Sequence, residues 1–126
     1  MILLDTSAMF YWTIEPDRLT SHAMQAIHES DKIIVNAISL WELSLKVKRG
    51  KLYLPVTVQE LVIRLQRVAK LIIQPTDVTI WLHSVELDWS HRDPADRVIV
   101  AAADLLGCPL VTSDRRIHAF YPLAVW

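Results

Sequence analysis

Short, unbroken apolar runs constrain the fold of this chain more than any other feature of its sequence. Three of them are Ile2–Leu4, Ile33–Val35 and Leu71–Ile73, and Pro109–Thr112 is a fourth. A strand that is apolar at successive positions is buried on both faces, which is typical of a parallel sheet lying between two layers of helices. The last four residues are also mainly apolar and are long enough for an edge strand.

Helical patterns separate the apolar runs. Ser39 with Glu42, and Thr57 with Glu60, have the spacing of a capping box, which predicts that a helix begins at each pair. A proline at position 94 suits the first turn of a later helix, which should run to Gly107 because glycine commonly follows a helix end. Two further helices are predicted over residues 20–29 and 76–87.

These elements predict an α/β fold: a three-layer α/β/α sandwich around a mostly parallel sheet of four to five strands. The 126 residues fit one domain, 1–126, and such a chain buries roughly two-thirds of its unfolded surface. In an open α/β sheet the strand-to-helix turns lie along one edge, and ligands bind there. The fold prediction therefore indicates where a functional site belongs.

Composition excludes several classes of protein. The 13 Lys and Arg against 14 Asp and Glu leave a net charge of −1, so no overall positive field favours nucleic acid. The single cysteine, Cys108, forbids an internal disulfide and a cysteine-rich zinc site, and a cytoplasmic location is expected. The apolar runs are far shorter than the roughly 20 residues of a membrane span.

Four acidic residues fall at predicted strand-to-helix turns: Asp5, Glu42, Asp96 and Asp114. Each has an ordinary structural interpretation, since acids cap helix N-termini and interact favourably with the helix dipole. Together they are harder to explain in that way. Two carboxylates about 4 Å apart repel by roughly 4 kcal/mol at an effective dielectric constant near 20, which exceeds the gain from one cap.

A hard divalent cation removes that repulsion. Oxygen ligands suit Mg²⁺ or Mn²⁺, whereas no histidine pair has the spacing of a zinc site. Carboxylates that hold Mg²⁺ with one side open to solvent are typical of phosphodiester hydrolysis, in which the metal activates water and stabilises the leaving oxygen. The acids therefore predict a metal-dependent hydrolase.

The sequence resembles the PIN-domain ribonucleases and, among them, the VapC-type toxins of bacterial toxin–antitoxin pairs. The resemblance extends over essentially the whole chain. No one motif is specific, but four occur in order: Leu3–Ala8, Ser39–Ser44 with Gly50–Leu52, His91–Arg97, and Leu110–Asp114. Ala95 departs from the pattern, because a larger aromatic residue is usual at that position.

The resemblance implies an endoribonuclease that depends on Mg²⁺ or Mn²⁺ and leaves 5′-phosphate and 3′-hydroxyl ends. It also implies inhibition by a cognate antitoxin protein and, commonly, a homodimer. The four acids match the acidic quartet of the family, with Asp5 and Asp96 the preferred metal ligands and Glu42 and Asp114 acting through water or at a second metal. The hydroxyls expected to orient these acids belong to Thr6, Ser7 and Thr112.

Basic residues near the acids are candidate RNA contacts. Lys46, Lys48 and Arg49 form a dense group, and Arg97 and Arg115 flank two of the acids. The group at 46–49 also fits a solvated helix end, and either flanking arginine could pair with a neighbouring acid. The five histidines are interpreted as surface or packing residues, and the tryptophans as core or partner-interface residues.

Two other functions stay open at this stage. A phosphatase of the haloacid-dehalogenase type would use Asp5 as its nucleophile, but such enzymes require a second aspartate where this chain has Ser7. A non-catalytic binding module would keep the acids only as helix caps. Replacing Asp5 or Asp96 with asparagine separates the hypotheses, because asparagine caps a helix nearly as well but binds Mg²⁺ poorly.

Overall fold

The computed structural model describes all 126 residues and contains a five-stranded sheet in which every neighbouring pair is parallel. The strand order is β3-β2-β1-β4-β5. The strands are β1 (Ile2–Leu4), β2 (Ile33–Asn36), β3 (Leu71–Gln74), β4 (Leu110–Val111) and β5 (Ala124–Val125). The predicted α/β/α sandwich is confirmed, and the C-terminal residues do form its edge strand.

Seven helices connect and cover the strands, and none is long and apolar enough to span a membrane. A 3₁₀ turn at Pro16–Arg18 follows the first helix. The helices are α1 (Thr6–Ile14), α2 (Ser21–Glu29), α3 (Ala37–Lys48), α4 (Val58–Gln66), α5 (Val78–Glu86), α6 (Pro94–Leu106) and α7 (Arg115–Phe120).

Two apolar cores lie on opposite faces of the sheet. Along β1, Ile2 and Leu4 face the core formed with α1 to α4, whereas Leu3 faces the core formed mainly with α5, α6 and α7. Successive side chains of a strand point to opposite faces, so a strand between two helical layers must be apolar throughout. This explains why β1 and β2 lack polar alternation.

Most helix boundaries follow the predicted chemistry. The Thr57 side chain accepts a hydrogen bond from the Glu60 backbone N–H, and Asp93 caps α6 with Pro94 at its first position. Gly107 ends α6 with φ of +60°, in the left-handed region where a side chain adds strain. These boundaries could be predicted because each depends on residues that are close in sequence.

The predicted start of α3 is wrong. The helix begins before Ser39, because Asn36 at the end of β2 caps it, accepting a hydrogen bond from Ile38 N–H at 3.0 Å. Asn36 is fully buried and is held by the side chains of Gln74 and Thr76. Glu42 therefore lies in the second turn of α3.

The strand order places a crevice beside β1. The chain moves from β1 to β2 on one side, whereas β4 lies on the other side, so the direction of winding changes between β1 and β4. Ligands of open α/β sheets bind outside the carboxyl ends of the strands at such a switch point. Asp5 directly follows β1, and Asp114 lies just beyond β4.

Candidate active site

Asp5 is the most buried acid at this edge of the sheet, with 6% of its surface exposed. It caps α1, and its Oδ1 accepts a hydrogen bond from Ala8 N–H at 2.7 Å. Burial raises the pKa of Asp5 to about 6, and the negative charges of Asp96 and Asp114 add to the increase. The cap orients the carboxylate but does not neutralise it.

Asp96 lies in the first turn of α6, beside the switch point. Its Oδ2 lies 2.7 Å from His91 Nε2, and its Oδ1 has no hydrogen-bond partner in the chain. Partial burial raises the pKa of Asp96, as do the charges of Asp93, Asp114 and Glu42, while the hydrogen bond with His91 opposes the increase. All four predicted acids thus interact electrostatically through Asp5 and Asp96.

Asp114 begins α7, and its Oδ1 accepts hydrogen bonds from the backbone N–H groups of Arg116 and Ile117. Thr112, fully buried, joins this acid to Asp5. Its hydroxyl accepts the Asp114 N–H at 3.1 Å, and a hydrogen bond from its side chain lowers the pKa of Asp5. The orienting role predicted for Thr112 therefore has a physical basis.

The other two predicted hydroxyls behave differently. Thr6 Oγ1 donates a hydrogen bond to Ser39 Oγ at 3.1 Å, and both residues are buried. The prediction that Thr6 orients an acid directly is corrected: it fastens the start of α1 to the start of α3, the helix that carries Glu42. Ser7 makes no side-chain hydrogen bond and lines a neighbouring pocket.

The four carboxylates are not neutralised by cationic side chains. None of them pairs with a lysine or an arginine, and the single basic side chain in contact with them is His91, which is hydrogen-bonded to Asp96. Burial and the neighbouring negative charges raise the pKa values of Asp5 and Asp96. The surroundings thus make a bound cation energetically favourable.

The donor set fits a hard metal ion. Mg²⁺ keeps several waters and binds through one or two carboxylates, so it does not need a complete protein cage. No three His, Cys, Asp or Glu side chains converge closely enough to form such a cage here. Oxygen donors, mutual repulsion and partial burial together match a largely hydrated Mg²⁺ or Mn²⁺.

Two depressions are lined by near neighbours of the acids: Thr6 and Ser7, next to Asp5, line one, and His91, which contacts Asp96, lines the other. One, of about 260 Å³, is lined by Thr6, Ser7 and Tyr11 together with three cations, Arg18, Lys46 and Lys51. The other is a shallow groove, lined by Trp89, Ser90, His91, Arg92, Asp93, Arg116 and Ala119. Of the predicted RNA contacts, Lys46 lies in the first depression, whereas Lys48, Arg49 and Arg115 are exposed and line neither.

The prediction that Arg97 contacts RNA is corrected by its hydrogen bonds. Arginine has five N–H donors, and all five of Arg97 are taken by backbone carbonyls at 2.6–3.3 Å. The acceptors belong to Ser84, Val85, Leu87, Trp89 and His91. The guanidinium holds the end of α5 and the following loop, and it has no donor left for a phosphate.

The interpretation of the histidines as simple surface or packing residues is also wrong in part. His91 contacts Asp96, His83 Nε2 lies 2.6 Å from Asp104 Oδ2, and His118 Nε2 lies 2.7 Å from the Thr112 carbonyl. None of these pairs has the spacing of a recognised metal motif. The one available signal for His91 was its position just before the helix start at Asp93.

Comparisons with known proteins agree with this architecture. The family model described as "PIN domain" matches residues 2–121. The chain is 35% identical over 130 residues to the protein named Ribonuclease VapC22 from Mycobacterium tuberculosis (strain ATCC 25618 / H37Rv), with 99% of this chain and 98% of that protein covered.

Solved structures resemble the chain over nearly its whole length. A toxin–antitoxin complex from Klebsiella pneumoniae contains a chain with a TM-score of 0.69 and 21% identity, covering 100% of this chain and 97% of that one. VapBC2 from Rickettsia felis, bound to a DNA fragment from its promoter, gives a TM-score of 0.69 at 17% identity, covering 98% and 96%. At these identities the likeness shows a shared fold.

Burial of Asp5 predicts a specific effect of the substitution Asp5→Asn on stability. Because the folded state raises the pKa of Asp5 from its ordinary value of 3.8 to about 6, folding becomes less favourable as pH rises through this range. Asparagine keeps the cap and removes the buried charge. Without divalent ions, the free energy of unfolding of D5N should be roughly 1–3 kcal/mol higher than that of the wild type near pH 7.5, and the difference should disappear below about pH 3.

Urea unfolding in chelator at both pH values measures this difference. Asp77→Asn provides the matched control, because Asp77 also caps a helix but is exposed. D77N should change stability by less than about 0.5 kcal/mol at either pH. A D5N protein that is less stable than the wild type near pH 7.5 would contradict the expected cost of burying this charge.

Proposed function

The chain belongs to the PIN domain family, and we propose that it is a divalent-metal-dependent endoribonuclease that acts as the toxin of a toxin–antitoxin pair. The observation that carries this proposal is its identity of 35%, over nearly the whole of both chains, to a protein named as a ribonuclease. The cluster of unneutralised carboxylates at the switch point supports it independently, because this is the chemistry that a hydrolytic metal site requires.

We assign Asp5 and Asp96 as the residues that hold Mg²⁺ or Mn²⁺, with Glu42 and Asp114 completing the site directly or through water. When bound, the metal supplies an activated water and positive charge for the leaving oxygen of the phosphodiester. The chain contributes orientation: the Ala8 N–H and the Thr112 side chain hold Asp5, and the start of α7 holds Asp114.

RNA must approach this negative site with its own negative charge. Arg18, Lys46 and Lys51 beside the acids supply local attraction that the overall charge of −1 does not. Arg18 lies over the Tyr11 ring, 4.6 Å from its centre, and is 3.3 Å from Glu15, whereas Lys46 and Lys51 in the same depression make no ion pair. Cations that contact phosphates are a common means of binding single-stranded RNA, and Lys46 and Lys51 are placed to do so.

An antitoxin requires a surface separate from the acids. An apolar groove of about 330 Å³ between α1 and α4 is lined by Trp12, Thr13, Ile14, Leu61, Arg64, Leu65 and Val68. Grooves of this kind accept the apolar face of a partner helix. The structural relatives are solved as complexes of toxin with antitoxin, and we propose this groove as the surface that an antitoxin occupies here.

A second apolar surface lies on α5 and suits the homodimer that we propose. Val78, Trp81, Leu82 and Val85 follow helical spacing along one face and are 45–78% exposed. A continuous apolar stripe on a helix normally packs against protein. A stripe on one helix can pack against its own copy about a two-fold axis, which is how most dimers form.

Cleavage should depend on Asp96 and on divalent metal. Asp96→Asn removes a charged ligand while the side-chain oxygen can still accept from His91. Loss of a residue that only orients a metal ligand commonly lowers metal affinity or activity about 10–100-fold. Loss of the ligand itself should cost at least as much, so D96N should cut RNA at less than about 1% of the wild-type rate. Chelator should abolish wild-type cleavage, and Mg²⁺ or Mn²⁺ should restore it. Mapping of new 5′ ends in total cellular RNA measures both effects.

Asp104→Asn is the control for Asp96, because both acids lie on α6 and both pair with a histidine, but Asp104 is at the far end of the helix. D104N should retain wild-type cleavage. Undiminished cleavage by D96N would instead remove Asp96 from the site. A wild-type protein that binds RNA but never cuts it would favour the non-catalytic binding module.

The cations of the depression should act mainly on substrate binding. In the double variant K46A/K51A, kcat/KM should fall about tenfold or more, chiefly through KM. The dependence of log KM on log salt concentration should become less steep by roughly 0.7 for each phosphate that the variant no longer binds. Lys32→Ala is the control, because Lys32 is exposed at the opposite edge of the sheet. If K32A lowers kcat/KM as much as K46A/K51A does, the lysines act only through general electrostatic attraction of RNA and not as contacts in the depression.

The apolar stripe on α5 should determine the oligomeric state. Val85→Glu puts a charge into the proposed interface, where burial without a partner is costly, and should convert a dimer into a monomer. Ile63→Glu, which changes an exposed aliphatic residue on α4, should leave the dimer intact. Light scattering after size-exclusion chromatography measures both masses, and a dimer that persists in V85E would exclude this face.

A further inference from the structure

His91 occupies a defined position between two of the acid-bearing helices. It lies in the loop before α6, its Nε2 is 2.7 Å from Asp96 Oδ2, and its Nδ1 is 3.4 Å from Arg116 Nη1 on α7. A guanidinium can only donate, so Nδ1 is the acceptor in that contact. In the contact with Asp96, the Nε2–H of His91 donates a hydrogen bond to the carboxylate oxygen.

The backbone of His91 is held as firmly as its ring. Arg97 Nη1 donates to the carbonyls of Trp89 and His91, at 2.6 and 2.9 Å. The same guanidinium binds three more carbonyls at the end of α5 and in the loop. Because Arg97 follows Asp96 directly in α6, the helix that carries the acid also fixes the loop that carries its histidine.

An aromatic stack supports the ring from the side of α7. Trp89 lies parallel to Phe120, with ring centres 4.8 Å apart and planes 12° from parallel. Its other neighbour is the imidazole of His91, also with centres 4.8 Å apart. The His91 side chain is only 10% exposed, so it has little freedom to leave Asp96.

We propose that His91 is a positioning residue of the metal site: it binds Oδ2 of Asp96 and thereby directs the unpartnered Oδ1 toward the metal. The inference rests on the proposed function, since it takes Asp96 as a metal ligand. In this proposal His91 acts on the metal site by orienting Asp96, and it does not itself contact RNA or the attacking water. The hydrogen-bonded partner of a metal ligand fixes its orientation, and its loss commonly weakens metal binding 10–100-fold.

The chain offers a matched control for this contact. His83 on α5 pairs with Asp104 on α6 at 2.6 Å, through the same Nε2 and Oδ2 atoms. Like His91, it joins α6 to the segment before it, but it lies away from the acids of the switch point. Removing either histidine deletes one His–Asp contact, and only His91 contacts a proposed metal ligand.

The test compares Mn²⁺ binding by the wild type, H91F, H91Q and H83F, measured by calorimetric titration. Phenylalanine preserves the aromatic contact with Trp89 and deletes the N–H donor, whereas glutamine restores a donor at similar reach. We expect Mn²⁺ affinity about tenfold or more weaker in H91F, recovered to within about threefold in H91Q, and unchanged in H83F. Melting curves verify that every variant is folded.

Two further measurements separate positioning from a merely structural role. RNA cleavage by H91F should recover at saturating Mn²⁺, because the defect is in metal affinity. In the wild type, NMR should show a hydrogen bond from the Nε2–H of His91 to the carboxylate of Asp96. Wild-type Mn²⁺ affinity in a folded H91F, or the absence of that hydrogen bond, would overturn the inference while leaving the ribonuclease proposal intact.

Failure of the ribonuclease proposal itself gives a different result. A wild-type protein that neither binds Mn²⁺ nor cuts RNA would remove the metal site, and with it the role of His91. If H91F does not fold, the comparison of H91Q with His91→Leu decides: equal Mn²⁺ affinities of those two variants would also overturn the inference.

Discussion

Uncompensated negative charge at the carboxyl edge of the sheet is the constraint on which this molecule depends. Folding places Asp5 in a nearly dry position and brings other carboxylates within electrostatic range, yet no lysine or arginine pairs with them. The two helical cores must supply enough stability to tolerate this arrangement. Natural proteins accept such local costs at functional sites, where stability is lost in exchange for activity.

The backbone hydrogen bonds at the site serve two purposes. Asp5 and Asp114 both cap helices, as their interpretation as structural residues required, and both also belong to the acid cluster. The two interpretations are therefore compatible, because a cap can use one carboxylate oxygen and leave the other free. Capping orients each carboxylate by means of backbone N–H groups, so no additional side chains are needed to arrange a site at helix N-termini.

Glu42 and Asp96 do not lie directly after a strand as predicted, because Glu42 is in the second turn of α3 and α6 follows a loop after α5. The sheet, its parallel direction and the positions of Asp5 and Asp114 could be predicted from the sequence, because they depend on local patterns: apolar runs, caps and the turn after a strand. The start of α3 could not, because Asn36 is selected by contacts with Gln74 and Thr76 in a neighbouring strand and loop. The contacts of Arg97 and His91 could not be predicted from the sequence for the same reason. Their partners are backbone carbonyls and a carboxylate whose positions depend on how α5 and α6 pack.

The five carbonyls bound by Arg97 have a consequence for how this protein can diversify. The guanidinium of Arg97, which lies outside the loop before α6, holds that loop in place by hydrogen bonds to main-chain oxygens alone. The exposed side chains of that loop, at Ser90 and Arg92, are not needed to maintain its path. Evolution can therefore vary these two positions at the rim of the crevice, while a change in loop length would displace the carbonyls that Arg97 binds.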